Sequence, residues 1–399
     1  MKNHGPLSGI KVLDLTAMVS GPVCTMMLGD QGADVIKIEP LDGELTRKVG
    51  NSNNGMTTTF LCCNRSKRSL ALDLKKKNGI NILKKLIKTA DVLVQNFRPG
   101  TMKRMGLSYE EVTKINKKII YASISGFGDK GPYSSQRVYD PVIQALSGLA
   151  DIQRDQETNF PKMVRTIIPD KTTAMAAAQA ISSALFYRER YGKGQHIKIA
   201  MLDVMVSYLW PEGSASLSFV GKEGNPAAGQ MGLDLVFETK DKKYITAGAV
   251  TDKEWLGMCT AFNKPELLTD DRFSTPRARF DNKTERRIII ANEIKKHNCL
   301  EILKKLHENE VPSAPILTRE ELLENEQIVE NKIIEFHDSK IFGKVRSPRP
   351  APIYSESDIN GAQLAPLLGE NSIEILEELE FTKNEIETFI KDKTISIAN

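Results

Sequence analysis

Short apolar runs alternate with amphipathic segments through the first third of the chain. The runs at residues 10–15, 34–38, 91–95 and 119–124 have the length and the aliphatic content of buried strands. Residues 79–90 place isoleucine and leucine close to the helical period, which predicts an amphipathic helix. Strands that alternate with helices are joined by right-handed crossovers, so the pattern predicts an α/β fold whose parallel sheet is covered by helices on both faces.

Capping residues and prolines mark several helix ends. Pro22 favours the first turn of a helix that runs to about residue 28. Ser108 and Thr382 each stand three residues before a glutamate, the spacing of a capping box, and predict two further helix starts. Pro211 is expected to break the helical segment 202–217.

The loops that follow the four predicted strands should meet at one edge of the sheet, where parallel α/β folds bind ligands. They comprise residues 16–21, 39–45, 96–100 and 125–132, and we expect them to converge on one site. The G-x-G-x-x-G fingerprint of dinucleotide-binding proteins does not follow the first strand. The helix N-terminus at Gly21 can still hold a phosphate through its free N–H groups.

A glycine-rich stretch over residues 221–232 predicts a domain junction. Beyond it, a strand at 243–247 and the charged, helix-rich segment 285–309 indicate a smaller α+β unit. The sequence therefore predicts a large domain over 1–220, a small α+β domain over 221–325 and a C-terminal segment over 326–399.

Composition and charge exclude several classes of protein. The 399 residues are 40% hydrophobic and 27% charged, as in globular proteins, and no run of 18 apolar residues indicates a membrane span. The net charge of +4 is dispersed, which argues against a nucleic-acid partner. The five cysteines are odd in number, and neither they nor the five histidines show metal-ligand spacing, so we expect no metal site. The N-terminus lacks the apolar core of a signal peptide, and we expect a cytoplasmic protein.

Positive side chains flank the predicted crevice and suit a phosphorylated ligand. Arginine offers planar bidentate contact to phosphate oxygens, and lysine offers a point charge. Arg98 is the strongest candidate, because it lies in a turn just after the third predicted strand. The full set is Arg65, Lys67, Arg68, Lys75, Arg98, Lys103, Arg104 and Arg137.

Asp170 precedes an alanine-rich segment that predicts a helix to about residue 188. A carboxylate at a helix N-terminus is stabilised in its ionised form. It can cap the helix, which is the commoner role for aspartate at such a position, or it can attack an electrophile. Position alone favours the cap.

At this point the chain resembles a known family, the class III coenzyme A transferases, also called the CaiB/BaiF or formyl-CoA transferase-like family. The motifs that carry the resemblance occur in the same order and span nearly the whole chain. They lie at residues 6–15, 21–22, 32–39, 64–75, 90–100, 105–106, 125–128, 131–133, 139–141, 144–148 and 368–370.

The resemblance implies an activity and a site. The enzyme would move coenzyme A from an acyl-CoA donor, with succinyl-CoA the donor by family habit, to a small carboxylic acid. Asp170 matches the family's nucleophile, so the resemblance favours a catalytic role over the capping role that position alone favours. The CoA thioester would be a substrate rather than a permanently bound cofactor. The CoA contacts implied by similarity are Val19, Ser20, Leu72, Asp73, Lys75, Asn96, Phe97, Arg98, Arg104, Arg137 and Tyr139.

The resemblance also implies an assembly. Family members form an interlocked homodimer, in which each chain has a large Rossmann-like domain completed by its C-terminal segment and a smaller α+β domain. A glycine loop over the active site would fall within residues 224–232, where the sequence reads Ala-Ala-Gly-Gln at 227–230.

Alternatives from the same fold and from another class remain. A 2-methylacyl-CoA racemase needs a histidine before Asp140, and here that position is Tyr139, whose pKa of about 10 suits a neutral-pH base poorly. A CoA-binding protein without catalysis would need the arginines but not Asp170. Oxalate-specific members carry a glutamine in the first loop and a tryptophan after the second strand, whereas this chain has Val19 and no tryptophan over 43–51. The acceptor acid stays open.

Overall fold

The chain divides into two compact units. The larger consists of Met1–Gly229 and Ile333–Asn399, and the smaller of Gln230–Lys332. The first division falls within the glycine-rich stretch 221–232, and the second lies a few residues after the expected boundary at 325. The computed structural model describes residues 5–155, 158–222, 235–357, 359 and 363–398.

The strands of the described residues form one large sheet and three small ones. In chain order they are β1 (Lys11–Leu15), β2 (Asp34–Glu39), β3 (Ser52–Asn53), β4 (Met56–Thr57), β5 (Arg68–Leu72), β6 (Val92–Gln95), β7 (Ile120–Ser125), β8 (Gln195–Ala200), β9 (Val236–Glu238), β10 (Tyr244–Ala247), β11 (Ser313–Pro315), β12 (Ile334–Ser339), β13 (Gly343–Pro348) and β14 (Ile395–Ser396).

The large sheet has seven strands in the order β14-β5-β2-β1-β6-β7-β8. All neighbours pair in parallel except β14, which runs antiparallel to β5 at one edge. The predicted α/β class is thus confirmed as a mixed α/β fold with a mainly parallel sheet. The sequence analysis did not predict β5, because it treated residues 64–75 only as a motif. Because β1 neighbours both β2 and β6, successive strands are added on one side of β1 and then on the other, and such a switch point is where these sheets bind ligands.

The α-helices begin at several of the residues that the sequence indicated. Ser108 and Thr382 form capping boxes with Glu111 and Glu385, as predicted, and the helix before Pro211 ends at Leu209. The bounds are α1 (Ser20–Asp30), α2 (Thr58–Cys63), α3 (Lys77–Thr89), α4 (Thr101–Arg104), α5 (Tyr109–Ile115), α6 (Asp140–Leu146), α7 (Leu149–Ile152), α8 (Ile168–Tyr191), α9 (Met201–Leu209), α10 (Asp252–Ala261), α11 (Pro276–Asp281), α12 (Lys283–Ile294), α13 (Cys299–Glu308), α14 (Glu326–Glu330), α15 (Ser372–Glu378) and α16 (Lys383–Lys391).

Alternate residues of the central strands build two apolar cores on opposite faces of the sheet. Leu13 and Ile36 belong to the core that includes side chains of α3, α5, α15 and α16. Val12 and Val35 belong to the core formed with α1 and α8. Burial on both faces explains why these strands read as continuous apolar runs rather than as an alternating pattern.

The smaller unit has its own core. Its antiparallel sheet runs in the order β11-β10-β9, and residues of α10, α12 and α13 pack with the buried Phe237 and Ile245. Across the described segments of both units, we find no helix with the length and apolar character needed to cross a membrane.

Candidate active site

Asp170 lies within the first turn of α8 rather than at its N-cap. The helix begins at Ile168, with Ile167 in the N-cap position and Pro169 in the first turn. The cap role that position alone favoured for Asp170 is therefore wrong. Proline is well placed in a first turn because its missing N–H has no partner there, and this sets the helix start upstream of Asp170. The carboxylate still lies at the positive end of the helix dipole.

The N-terminus of a second helix meets the Asp170 carboxylate. Ser20 is the first residue of α1, and its hydroxyl and backbone N–H lie beside this carboxylate, where both lower its pKa. Ser20 is buried, and α1 packs along α8. Two helix N-termini thus converge on one carboxylate, and each contributes partial positive charge.

The surroundings of Asp170 alter its acidity. Burial and, to a smaller extent, the negative charge of Asp140 raise the pKa of its carboxyl to about 6. The hydroxyl and backbone N–H of Ser20 act in the opposite direction. The carboxyl is therefore mostly ionised at pH 7, and the anion is less well solvated than an exposed carboxylate. Such a group is suited to nucleophilic attack.

Asp140 is a site residue to which the sequence analysis gave no role. It is buried at the start of α6, and its Oδ2 accepts the backbone N–H of Asp170 at 3.2 Å. Gln144 donates to the other carboxylate oxygen of Asp140 at 2.6 Å and accepts the N–H of Val164 at 2.9 Å. These bonds fix the segment that enters α8. The only signal in the sequence was the Tyr139-Asp-Pro141 motif, which marks a helix start without indicating its partner.

A cavity of about 1160 Å³ opens at the carboxyl ends of β1, β2 and β5 and beside the loop after β6. Lysines 75, 76, 77 and 84 and Arg104 lie in its lining. Two lining acids, Glu39 and Glu44, are paired with the half-buried Arg47 and the buried Lys37, so the cations dominate the charge offered to a ligand. Five of the residues implied by the resemblance line this cavity: Leu72, Asp73, Lys75, Phe97 and Arg104.

The remaining implied contacts lie elsewhere around the same sheet edge. Val19 and Ser20 are at the start of α1, beside Asp170. Arg98 lines a second cavity of about 520 Å³, which shares Phe97 with the first. The exposed residues Arg137 and Tyr139 lie just before α6, and neither of these two cavities includes them in its lining.

The loops after the strands do not all converge on one site. Residues of the loops 16–21 and 39–45 line the larger cavity, whereas the loop 125–132 lines the smaller one. The glycine loop expected within residues 224–232 lies outside the described residues.

Three of the predicted phosphate-binding cations instead form internal ion pairs. Lys67 is completely buried against Asp14 at 2.8 Å. Arg65 pairs with Asp30, and Arg68 pairs with Asp34, Glu374 and Glu378. These groups hold the sheet and its helices together, and their charge is not available to a ligand.

Comparison with known proteins decides the family. A family model described as CoA-transferase family III matches residues 7–372. The chain belongs to CoA-transferase family III. It is 34% identical over 385 residues to the human succinyl-CoA:glutarate CoA-transferase, which covers 95% of this chain and 87% of the relative. It is 32% identical over 416 residues to a formyl-CoA:oxalate CoA-transferase of Escherichia coli, with 96% and 97% covered.

A solved structure agrees with these relatives. The crystal structure of a CaiB/BaiF family protein from Brucella suis superposes with a TM-score of 0.81 at 30% identity, covering 94% of this chain and all of that one. The resemblance found in the sequence is thereby confirmed. The protein is a CoA-transferase enzyme, and CoA thioesters are substrates of such enzymes. This activity is favoured over both the racemase and the non-catalytic alternative.

Proposed function

We propose that this CoA-transferase moves coenzyme A between carboxylic acids by covalent catalysis at Asp170. The observation that supports this proposal is the contact between the Asp170 carboxylate and Ser20. At this contact Asp170 is half-buried and has a raised pKa, and the N–H and hydroxyl groups of Ser20 lie at the N-terminus of α1 beside it. Covalent catalysis divides one difficult exchange into smaller steps.

The proposed reaction begins when a carboxylate oxygen of Asp170 attacks the thioester carbonyl of the acyl-CoA donor. The C–S bond breaks, which leaves a mixed anhydride on Asp170 and free CoA thiolate. The thiolate then attacks the aspartyl carbonyl carbon, and the donor acid leaves as its carboxylate. The resulting aspartyl-CoA thioester reacts with the acceptor carboxylate by the same two steps in reverse, which regenerates Asp170.

Each attack builds negative charge on a carbonyl oxygen beside the N-terminus of α1. We propose that N–H groups of this helix end stabilise that charge, since they are fixed before the reaction and lie next to Asp170. One such donor contributes about 3 kcal/mol to stabilising a transition state.

We propose that CoA extends from the larger cavity to Asp170. Thr16 and Ala17 line that cavity, and Ser20, a few residues further along the same loop, contacts the nucleophile. Lys75 and Arg104 would hold phosphate groups of the nucleotide end, where cations match the ligand's charge. The residues proposed to contact CoA are Val19, Ser20, Leu72, Asp73, Lys75, Phe97, Arg98, Arg104, Arg137 and Tyr139. The resemblance also implies a CoA contact at Asn96, and the next subsection assigns that side chain a different role.

We propose succinyl-CoA as the donor, since a donor of that name acts with the human relative. Val19 and the absence of tryptophan over 43–51 argue against oxalate as acceptor. The test offers the enzyme succinyl-CoA with a panel of acids that includes glutarate and oxalate and measures the CoA products by mass spectrometry. We expect new thioesters that require the acceptor. Hydrolysis alone, or α-deuteration of a chiral 2-methylacyl-CoA in D₂O without an acceptor, would contradict the proposal.

The raised pKa predicts the pH dependence of catalysis. Only the ionised carboxylate of Asp170 attacks, so kcat/KM should rise as pH increases through about 6 and then level off. Initial rates between pH 5 and 8 at constant ionic strength measure this profile. A rate that falls as pH increases over this range would show that the protonated form is the active one.

We also propose the interlocked homodimer and the three-segment domain plan with boundaries near 220 and 325. Several large aromatic side chains on α8 and α9 are exposed, and exposed apolar surface is typical of a protein–protein interface, which supports a partner chain. They include Phe186, Tyr191 and Tyr208. Light scattering should give twice the 44.4 kDa mass of one chain, and a monomeric mass would contradict the assembly.

A further inference from the structure

Both polar atoms of the Asn96 side chain bind the backbone of the loop that precedes α1. Its Oδ1 accepts the backbone N–H of Ala17 at 2.9 Å, and its Nδ2 donates to the carbonyl oxygen of the same residue at 2.8 Å. Asn96 follows β6, and Ala17 follows β1, so this double hydrogen bond crosses the switch point of the sheet. The amide thus has both of its polar atoms committed to protein backbone.

Neighbouring residues of the same loop are held by a buried ion pair. Lys37 donates to the carbonyl oxygen of Thr16 at 3.0 Å, and Glu44 accepts the N–H of Met18 at 2.7 Å. Lys37 and Glu44 are themselves paired at 2.9 Å, and both are buried. Three successive residues, 16 to 18, are therefore fixed by side chains from three different parts of the sheet edge.

The loop has a conformation that it would not retain by itself. Met18 has a φ of 71°, in the left-handed region, which costs energy for a residue with a Cβ. A Cβ on Gly21 would lie 2.4 Å from the Thr16 side chain, so the first turn of α1 packs directly on the loop. We therefore expect a displacement of residues 16–18 to move Ser20 relative to Asp170.

We propose that Asn96 is a positioning residue, which holds the loop 16–18 so that Ser20 meets the nucleophile Asp170, rather than a residue whose side chain binds CoA. This inference rests on the proposed role of Asp170. Asn96 would affect catalysis only indirectly, through Ala17 and the N-terminus of α1. It replaces the CoA contact that the resemblance implies for this side chain.

The variant Asn96→Ala tests this role through the division between kcat and KM. Loss of the two hydrogen bonds between Asn96 and Ala17 should lower kcat by about 10²-fold, the usual effect when a catalytic group is misplaced by about 1 Å. The KM for acyl-CoA should stay unchanged within about threefold. Arg104→Ala should show the opposite pattern, a raised KM with kcat retained, because Arg104 lines the cavity. A raised KM with unchanged kcat in Asn96→Ala would overturn the proposal.

Asn116→Ala is a matched control for lost backbone hydrogen bonds. Asn116 also uses its amide to hold backbone, donating to the carbonyl oxygens of Ile87 and Ala90 at 3.0 and 2.7 Å, but it lies near the amino ends of β6 and β7. If Asn96 had only a structural role, both variants would lose stability and their kcat values would be similar. We expect kcat to fall only in Asn96→Ala, and an equal fall in both would overturn the positioning role.

A measurement that does not need turnover separates this inference from the proposed function. Carbodiimide labels protonated carboxyl groups, so the pH dependence of labelling at Asp170, read by peptide mass spectrometry, reports its pKa. Asn96→Ala should move the labelling midpoint to higher pH, because the hydroxyl and N–H of Ser20, which lower the pKa of Asp170, are then displaced from its carboxylate. An unmoved midpoint would contradict the proposal even if the wild-type enzyme transferred no CoA. Should Asn96→Ala fail to fold, Asn96→Ser, which is too short to bridge both Ala17 groups, carries the same test.

Discussion

Replacing Asp170 by asparagine is expected to lower kcat for CoA transfer by about 10⁴-fold or more, as removal of a covalent nucleophile does in other enzymes. The amide has nearly the same shape, and its oxygen can still lie beside the hydroxyl and backbone N–H of Ser20. It cannot form the mixed anhydride, because a neutral amide oxygen is a poor nucleophile. Binding of CoA should persist, since the larger cavity is lined by other residues.

The measurements for this variant are steady-state transfer rates and the dissociation constant for CoA. Asp151→Asn is a suitable control, because Asp151 is an exposed aspartate on α7 that pairs only with a neighbouring arginine in the described contacts. It should keep the wild-type rate. If Asp170→Asn retains full transfer activity, the covalent mechanism is wrong.

The second large effect concerns stability. Lys67→Met is expected to lower the free energy of unfolding of the larger unit by about 3–5 kcal/mol, the usual loss when one partner of a buried ion pair is removed. Burial alone would raise the pKa of Asp14, and the charges of Lys67 and Lys37 more than offset it, so the pKa falls to about 2. Without Lys67, a buried carboxylate loses its closest cation, and Pro22 and Asn64 lose a donor at 2.8 Å.

Chemical denaturation measures this loss, with Lys118→Met as a control that removes a lysine from an exposed position. The control should change stability by less than about 0.5 kcal/mol. The double variant Lys67→Met with Asp14→Leu should recover part of the loss, because no unpaired charge is then buried. A Lys67→Met protein as stable as the control would show that the pair contributes little to holding α1 on the sheet.

Local patterns predicted much of the fold because local physics specifies it. The central strands are buried on both faces, so their apolar runs were visible in the sequence, and the capping boxes at Ser108 and Thr382 depend on residues only three apart. β5 was missed because its run is short and begins with the charged Arg68. Asp170 was correctly placed at a helix start, although Pro169 moved the first turn upstream.

The site itself depends on contacts that no local pattern encodes. Asp140 meets Asp170 from 30 residues away, and Asn96 meets Ala17 from 79 residues away. The cations were misjudged for the same reason. Lys67 has the charge expected of a residue that binds phosphate, but it is paired with Asp14 of β1, which is distant in the sequence. Only the fold shows that the two are buried together.

The most direct test of the central claim is to trap the enzyme during turnover with acyl-labelled substrate and map the adduct. Hydroxylamine converts an activated aspartyl group to a hydroxamate, and borohydride reduces a thioester. The account predicts modification of the tryptic peptide that contains Asp170, only when acyl-CoA is present. An unmodified Asp170 peptide, with the label on a different side chain, would contradict it.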